Sequence, residues 1–377
     1  MKKIYYIAVV FAILFLAGCG DGIDLPGVNV ETDLNKIPLP DNNVNLEQVE
    51  LKPSTEPMLH EGLHTEEDFQ RIRDKKAAGE EPWVSAYQLL VESQFSQKTA
   101  DTYPTEWIKR GVSGDENYMN AARGATIAYQ QALRWKIEQD DEYAAKAVEN
   151  LNKWVQTCVG VTGNTNLSLA AGLYGYEFAI AGELLRDYEG WDRADFAAFQ
   201  NWLLKVFYPA NDDFLKRHHD TNALHYWANW CLCNIAAKMA IGIVTDRRDI
   251  YNEGIGHLQT GDTNGRLRRA IYHDYAPDYN FAQWQESGRD QGHTLMCVGL
   301  MGVICQLAWS QGDDFFAYDD NLFMRACEYA ACCNYTNETV PYTTYIWQKQ
   351  SQWGYPIPEE QTTLGGGKWI KRAIWAL

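Results

Sequence analysis

"LSLAAGLYGYEFAIAGELLRD", residues 167–187, is the stretch that decides the fold. Its apolar residues recur at the three-and-four spacing of a helix and show no strand alternation. It is also rich in Gly and Ala and carries little charge until its end. A helix apolar all round is one that neighbours surround. An acidic break follows, "YEGWDRAD" (188–195), and then "FAAFQNWLLKVF" (196–207), which keeps a polar face. The unit reads as a helical hairpin with one buried arm and one outer arm.

Working outward, three more stretches share this layout without sharing the sequence. The first is "YMNAARGATIAYQQALRWKIE", "QDDE", then "YAAKAVENLNKWVQTC" (118–158). The next is "ALHYWANWCLCNIAAKMAIGIV", "TDRRD", then "IYNEGIGHL" (223–258). The last is "GHTLMCVGLMGVICQLAWSQ", "GDDFFAYDD", then "NLFMRACEYAACCNY" (292–335). Stacked hairpins of this kind predict an all-α fold, an (α/α) toroid or incomplete barrel with inner and outer helices. All inner helices then run the same way, so their N-termini meet at one end. Free N–H groups and a positive dipole there suit an anionic ligand.

The head of the chain reads differently. "MKK" is basic, "IYYIAVVFAILFLAG" is apolar, and Leu16-Ala17-Gly18-Cys19 reads as a lipobox. Residues 1–18 are therefore expected to be a lipoprotein signal peptide, leaving Cys19 as a lipid-modified N-terminus on an exported, outer-membrane protein. Residues 19–57, rich in Asp, Asn, Pro and Gly, read as a flexible tether, and 58–377 as one globular α/α-toroid domain. The net charge of −17 argues against nucleic acid as a partner. Two local basic clusters stand against it, "KRHH" (216–219) and "RLRRAIYH" (266–273). The remaining cysteines lie in apolar helical patterns and read as buried thiols. No Cys/His spacing suggests a metal, and no cofactor is expected.

The polar residues that stand out lie where inner helices begin. In "KRHHDTNALHYWANW" (216–230), Asn222, His225 and Asn229 fall on one helical stripe, with Tyr226 beside them. The alternative is a capping Asn222 and a satisfied core histidine. "ESGRDQGHT" (286–294) places Glu286, Arg289 and His293 three and four apart, and a structural Glu286–Arg289 ion pair is the alternative there. Between them runs "AIYHDYAPDYNFAQWQ" (270–285), with Tyr272, Tyr275, Tyr279, Trp284 and Gln285 as candidate sugar contacts, preceded by Arg266.

Asn, His, Arg and Tyr without a metal motif fit a uronic-acid lyase. Elimination across C4 and C5 removes a weakly acidic proton beside a carboxylate, which amide, imidazole or guanidinium donors neutralise. A Tyr or His takes that proton, and another protonates the departing O4. A glycosidase needs two carboxylates flanking the bond, and Glu286 and Asp290 are not obviously such a pair.

"LHTEEDFQRIRDKKAAGEEPW" (63–83), "HYWANW" (225–230), "ESGRDQGHT" and "AWSQGDDFFAYDDNLFMRACEYAACCNY" (308–335) resemble the alginate-lyase-like superfamily, close to polysaccharide lyase family 38. The resemblance implies an α/α toroid, β-elimination of polymers such as alginate or glucuronan, and no obligatory metal. It makes Asn222 and His225 the carboxylate-neutralising amide and the catalytic histidine, although "NALH" separates two residues that are adjacent in relatives. Arg289 and His293 fall in the segment that supplies an arginine and a tyrosine base, but that tyrosine is missing here. The base is then a loop tyrosine such as Tyr279, or His293 itself. "VPYTTYIWQ" (340–348) and "GGGKWIKRAIWAL" (365–377) resemble later family segments, and the resemblance implies that relatives extend further, by a last helix and a Gly-rich tail. Two other readings compete: an unsaturated-uronide hydrolase on the same toroid, and a non-catalytic glycan-binding lipoprotein.

Overall fold

The computed structural model describes residues 48–335 and 340–343. Residues 1–18, read as a signal peptide, Cys19, most of the segment read as tether and the residues after Thr343 lie outside these residues. Helices α1 (Glu66–Ala77) and α2 (Trp83–Glu92) open the body. Four hairpins follow: α3 (Tyr118–Glu138) with α4 (Asp141–Thr157), and α5 (Leu167–Leu184) with α6 (Arg193–Val206). Then come α8 (Ala228–Val244) with α9 (Arg248–Thr260), and α11 (Gln291–Ser310) with α12 (Tyr318–Tyr335). Two connections hold the remaining helices, α7 (Tyr208–Arg217) and the short α10 (Leu267–Ala270).

The inner helices pack in the order α3, α5, α8, α11, with α4 against α3 and α9 against α8. Every residue of α8 is buried, and almost all of α5 is. α11 is long and apolar enough to cross a membrane, yet most of it is buried in this core. Small residues let the inner helices approach closely. A Cβ on Gly172 of α5 would sit 2.5 Å from Cys233 Sγ and 3.0 Å from Asn234 N of α8. The acidic breaks act as caps: Asp140 accepts from Glu142 N (3.0 Å), and Asp192 from Ala194 N (2.7 Å), each opening an outer helix. The eight cysteines among the described residues are free thiols, six of them buried.

Three features depart from the sequence reading. Two small two-stranded ladders appear, β1 (Trp107–Arg110) with β2 (Gly160–Gly163) in parallel and β3 (Ile271–Asp274) with β4 (Ala282–Trp284) antiparallel. α7 follows α6 at once, because Pro209 is favoured in a first helical turn. The third correction concerns the tether boundary at 57. Val49 N donates to Gln259 Oε1 (2.7 Å), Asn252 Nδ2 to Lys52 O (2.8 Å), and Arg248 to Glu56 O and Pro57 O (2.7 Å each). Side-chain amides and a guanidinium on α9 thus hold an irregular segment that its composition does not mark as structured.

That segment continues as a strap across the C-terminal ends of the inner helices. Leu59 pairs with Gln311 after α11, and His60 Nε2 lies 2.9 Å from Asp246 after α8. Gly62 packs on Glu183 near the end of α5, and His64 Nε2 lies 2.6 Å from Tyr129 OH on α3. The strap crosses the end opposite the inner N-termini.

Candidate active site

The N-terminus of α8 is capped from another part of the chain. Trp227 stands at the cap position without a side-chain cap bond of its own. Instead Ala228 N donates to Gln285 Oε1 (2.7 Å) and Asn229 N to Glu286 Oε1 (3.3 Å). A carboxylate at this position is favoured by the helix dipole. Glu286 is 0 % exposed, and Arg289 Nη1 lies 3.5 Å from its Oε2. Burial pushes the Glu286 carboxyl above its ordinary value, and the Arg289 and His293 charges offset only part of that. The Arg289 guanidinium sits over the Trp227 ring at 5.3 Å, and its side chain keeps 16 % exposure.

The start of α11 is built from Asp290, whose backbone is extended (φ −170°, ψ 166°). One carboxylate oxygen accepts from His293 N (2.8 Å), and the other lies 2.6 Å from His293 Nδ1. Burial alone would raise the Asp290 carboxyl, but the bonds and charge of His293 outweigh it and leave the group below its ordinary value. At the same junction, Asn229 Oδ1, Gln285 Nε2 and Ser287 Oγ are buried with no hydrogen-bond partner. Asn229 itself is 1 % exposed, and its Nδ2 reaches only Met296 Sδ at 3.5 Å. Buried polar atoms of this kind need an explanation, and a bound ligand or ordered water supplies one.

Both predicted helical stripes are corrected. Asn222 and His225 precede α8 in a turn, where Asn222 Oδ1 accepts from Leu224 N (2.8 Å) and His225 N donates to Asn222 O (2.9 Å). A short polar side chain has captured the backbone there and competes with helix. Glu286, Arg289 and His293 do not share one helix either, since a 3-10 turn ends at Gly288 before Asp290 restarts the chain. Within that broken segment the three side chains still converge.

Several candidate sugar contacts also hold the fold together. Trp284 is fully buried and donates Nε1–H to Ala326 O (3.0 Å), and Gln285 and Glu286 are sealed as helix caps. Tyr226, 8 % exposed, packs among Phe214, His218, His219 and Trp230. His225 stands edge-on to it, half-buried. His219 Nε2 lies 2.9 Å from Ser168 Oγ, which joins this turn to the start of α5. Tyr275 OH donates to Gln283 Oε1 (2.6 Å), and Gln283 Nε2 donates to Tyr272 OH (3.2 Å), so both phenols brace the β3–β4 hairpin. Tyr279 is the exposed one, at 51 %, with its ring stacked on Phe281. Arg266 is half-buried at the start of α10.

Sequence reasoning missed two partners. Asp290 stands directly before the apolar run, the usual place for a helix cap, and that signal is there to be read. Trp227 beneath Arg289 gives none, because the contact crosses between segments.

The family model for alginate lyase matches residues 72–338. A search of curated protein sequences finds none that matches. Among solved structures, alginate lyase A1-III from Sphingomonas species A1 superposes with a TM-score of 0.52 at 13 % identity, over 73 % of this chain and 79 % of that one. A histidine-to-alanine variant of alginate lyase A1-III complexed with a tetrasaccharide gives 0.56 at 13 %, over 71 % and 75 %. An alginate lyase from Bacteroides ovatus gives 0.51 at 14 %, over 71 % and 81 %.

Proposed function

This chain belongs to the alginate lyase family and is a polysaccharide lyase, and from that premise we propose that it cleaves a uronic-acid polymer of the alginate or glucuronan type by β-elimination at the joined N-termini of α8 and α11. The observation that carries this reading is the convergence of Asn229, Arg289 and His293 where α8 and α11 begin, around buried polar atoms with no partner. The Asn229 amide and the Arg289 guanidinium neutralise the C5 carboxylate and hold the enolate-like charge that develops. His293 takes the C5 proton through Nε2, since Nδ1 is committed to Asp290. As the C5–H pair becomes the C4=C5 bond, the C4–O4 bond breaks, and the imidazolium returns the proton to O4. Tyr279, exposed on the hairpin, offers an aromatic face to a neighbouring sugar. The lipobox ending at Cys19 supports placing this activity on an exported, lipid-anchored enzyme.

The hydrolase reading loses its support, because Glu286 is sealed against α8 and Asp290 is bound to α11. Product masses separate the two reactions. Elimination from a defined oligouronate gives fragments whose masses sum to that of the parent. Hydrolysis adds one water to that sum, and finding it would overturn the proposal.

A further inference from the structure

We infer that Asp290 is a positioning residue for proton transfer: its carboxylate fixes the tautomer and the plane of the His293 ring, so that the imidazole presents an unprotonated Nε2 to the substrate. This rests on the reading of His293 given above.

The geometry assigns two tasks to one side chain. Asp290 Oδ1 accepts from His293 N at 2.8 Å and so caps α11. Oδ2 lies 2.6 Å from His293 Nδ1. A carboxylate below its ordinary protonation range accepts hydrogen bonds and donates none, so this contact requires Nδ1 to carry the proton. Proton exchange by His293 then runs through Nε2. The cap bond and the ring bond come from the same carboxylate, which ties ring orientation to the helix end. Further bonds hold that end in place: Thr294 Oγ1 donates to Asp290 O (2.9 Å), and Gln291 Nε2 to Asn334 Oδ1 on α12 (2.6 Å). Glu286 and Arg289, from the turn before α11, are charged groups that act on the same pair. Asn229 Oδ1 and Ser287 Oγ beside this junction are buried without a hydrogen-bond partner, which leaves them available to a ligand or an ordered water.

Asp290→Asn separates the two tasks. Asn caps helices about as well as Asp, so α11 keeps its start. Its amide, however, presents an N–H to Nδ1 when its oxygen caps the helix, which favours the opposite tautomer. Turnover of a uronate polymer by Asp290→Asn should fall by about 10²- to 10⁴-fold with little change in thermal midpoint. Residual activity should show its acidic limb at lower pH, because the carboxylate no longer favours the imidazolium. His293→Ala, measured alongside, should be inactive. Wild-type turnover and an unmoved acidic limb in Asp290→Asn, with His293→Ala dead, would overturn the positioning role and leave His293 intact as the base. An active His293→Ala would overturn the reading of His293 itself. Nitrogen-15 NMR of the wild-type imidazoles, with the His293 signal assigned by its loss in His293→Ala, tests the tautomer without relying on any variant's activity. A proton on Nδ1 at neutral pH is expected, and one on Nε2 contradicts the inference.

Discussion

Asn222 and Asn229 look alike in the sequence and differ in what they hold. Asn222 spends its side-chain oxygen on Leu224 N, closing the turn that feeds α8, whereas Asn229 Oδ1 is buried at the start of α8 without a partner. Asn222→Ala should therefore act on stability, costing on the order of 1 kcal/mol in a denaturant titration, with a smaller effect on turnover. Asn229→Ala should reverse that pattern, cutting kcat about 10²-fold or more with the fold retained. In the sequence Arg289 is either the partner of Glu286 or a substrate contact; its guanidinium reaches Glu286 on one side, lies over the Trp227 face and keeps part of the side chain exposed. Arg289→Lys keeps the charge that compensates buried Glu286 but loses the planar fork. It should fold and bind a uronate polymer poorly, as seen in a raised KM and a reduced kcat. These residue-level roles are only half legible in the sequence, since the residue types stand out but their partners come from segments that no local spacing connects.

At the scale of elements the sequence is far more legible. The hairpin α5–α6 and its three companions follow from the pairing of an arm apolar all round, which neighbours surround, with an outer arm that keeps a polar face. Helix starts are the weak point. α8 begins at Ala228, after the turn that the stripe reading includes, because its cap is supplied by Gln285 and Glu286 and not by its own flank. The close approach of α5 and α8 gives a direct check. Gly172→Ala drives a methyl against Cys233 Sγ and should destabilise by about 1–3 kcal/mol in thermal or denaturant unfolding. Gly256→Ala on α9, where nothing stands within 4 Å, should stabilise by about 0.5–1 kcal/mol.

Across the whole molecule, the strap at one end and the joined N-termini of α8 and α11 at the other give the arc of hairpins two distinct ends. Residues 48–57 read as tether because their composition is polar and aperiodic, and what fixes them is a set of hydrogen bonds from α9. Titration of the interior is also a property of the whole fold. Burial pushes the Glu177 carboxyl up to about 8 from an ordinary 4.5, while His64, His218 and His257 are pulled down to about 4 from 6.5. The histidines add stability as pH rises through the window from about 4 to 6.5, where the unfolded chain binds the extra protons. Glu177 acts in the opposite sense: its contribution is present below 4.5 and is lost as pH rises through about 8. Between pH 6.5 and 8 the thermal midpoint should therefore fall, and that of Glu177→Gln should fall less steeply. One measurement tests the proposed lyase chemistry most directly. Folded protein is incubated with alginate, polymannuronate, polyguluronate and glucuronan while the ultraviolet absorbance of the C4–C5 double bond is followed, with His293→Ala in parallel. The account predicts rising absorbance on at least one polymer and none from the variant. No rise on any uronate polymer, or an equal rise from the variant, would contradict it.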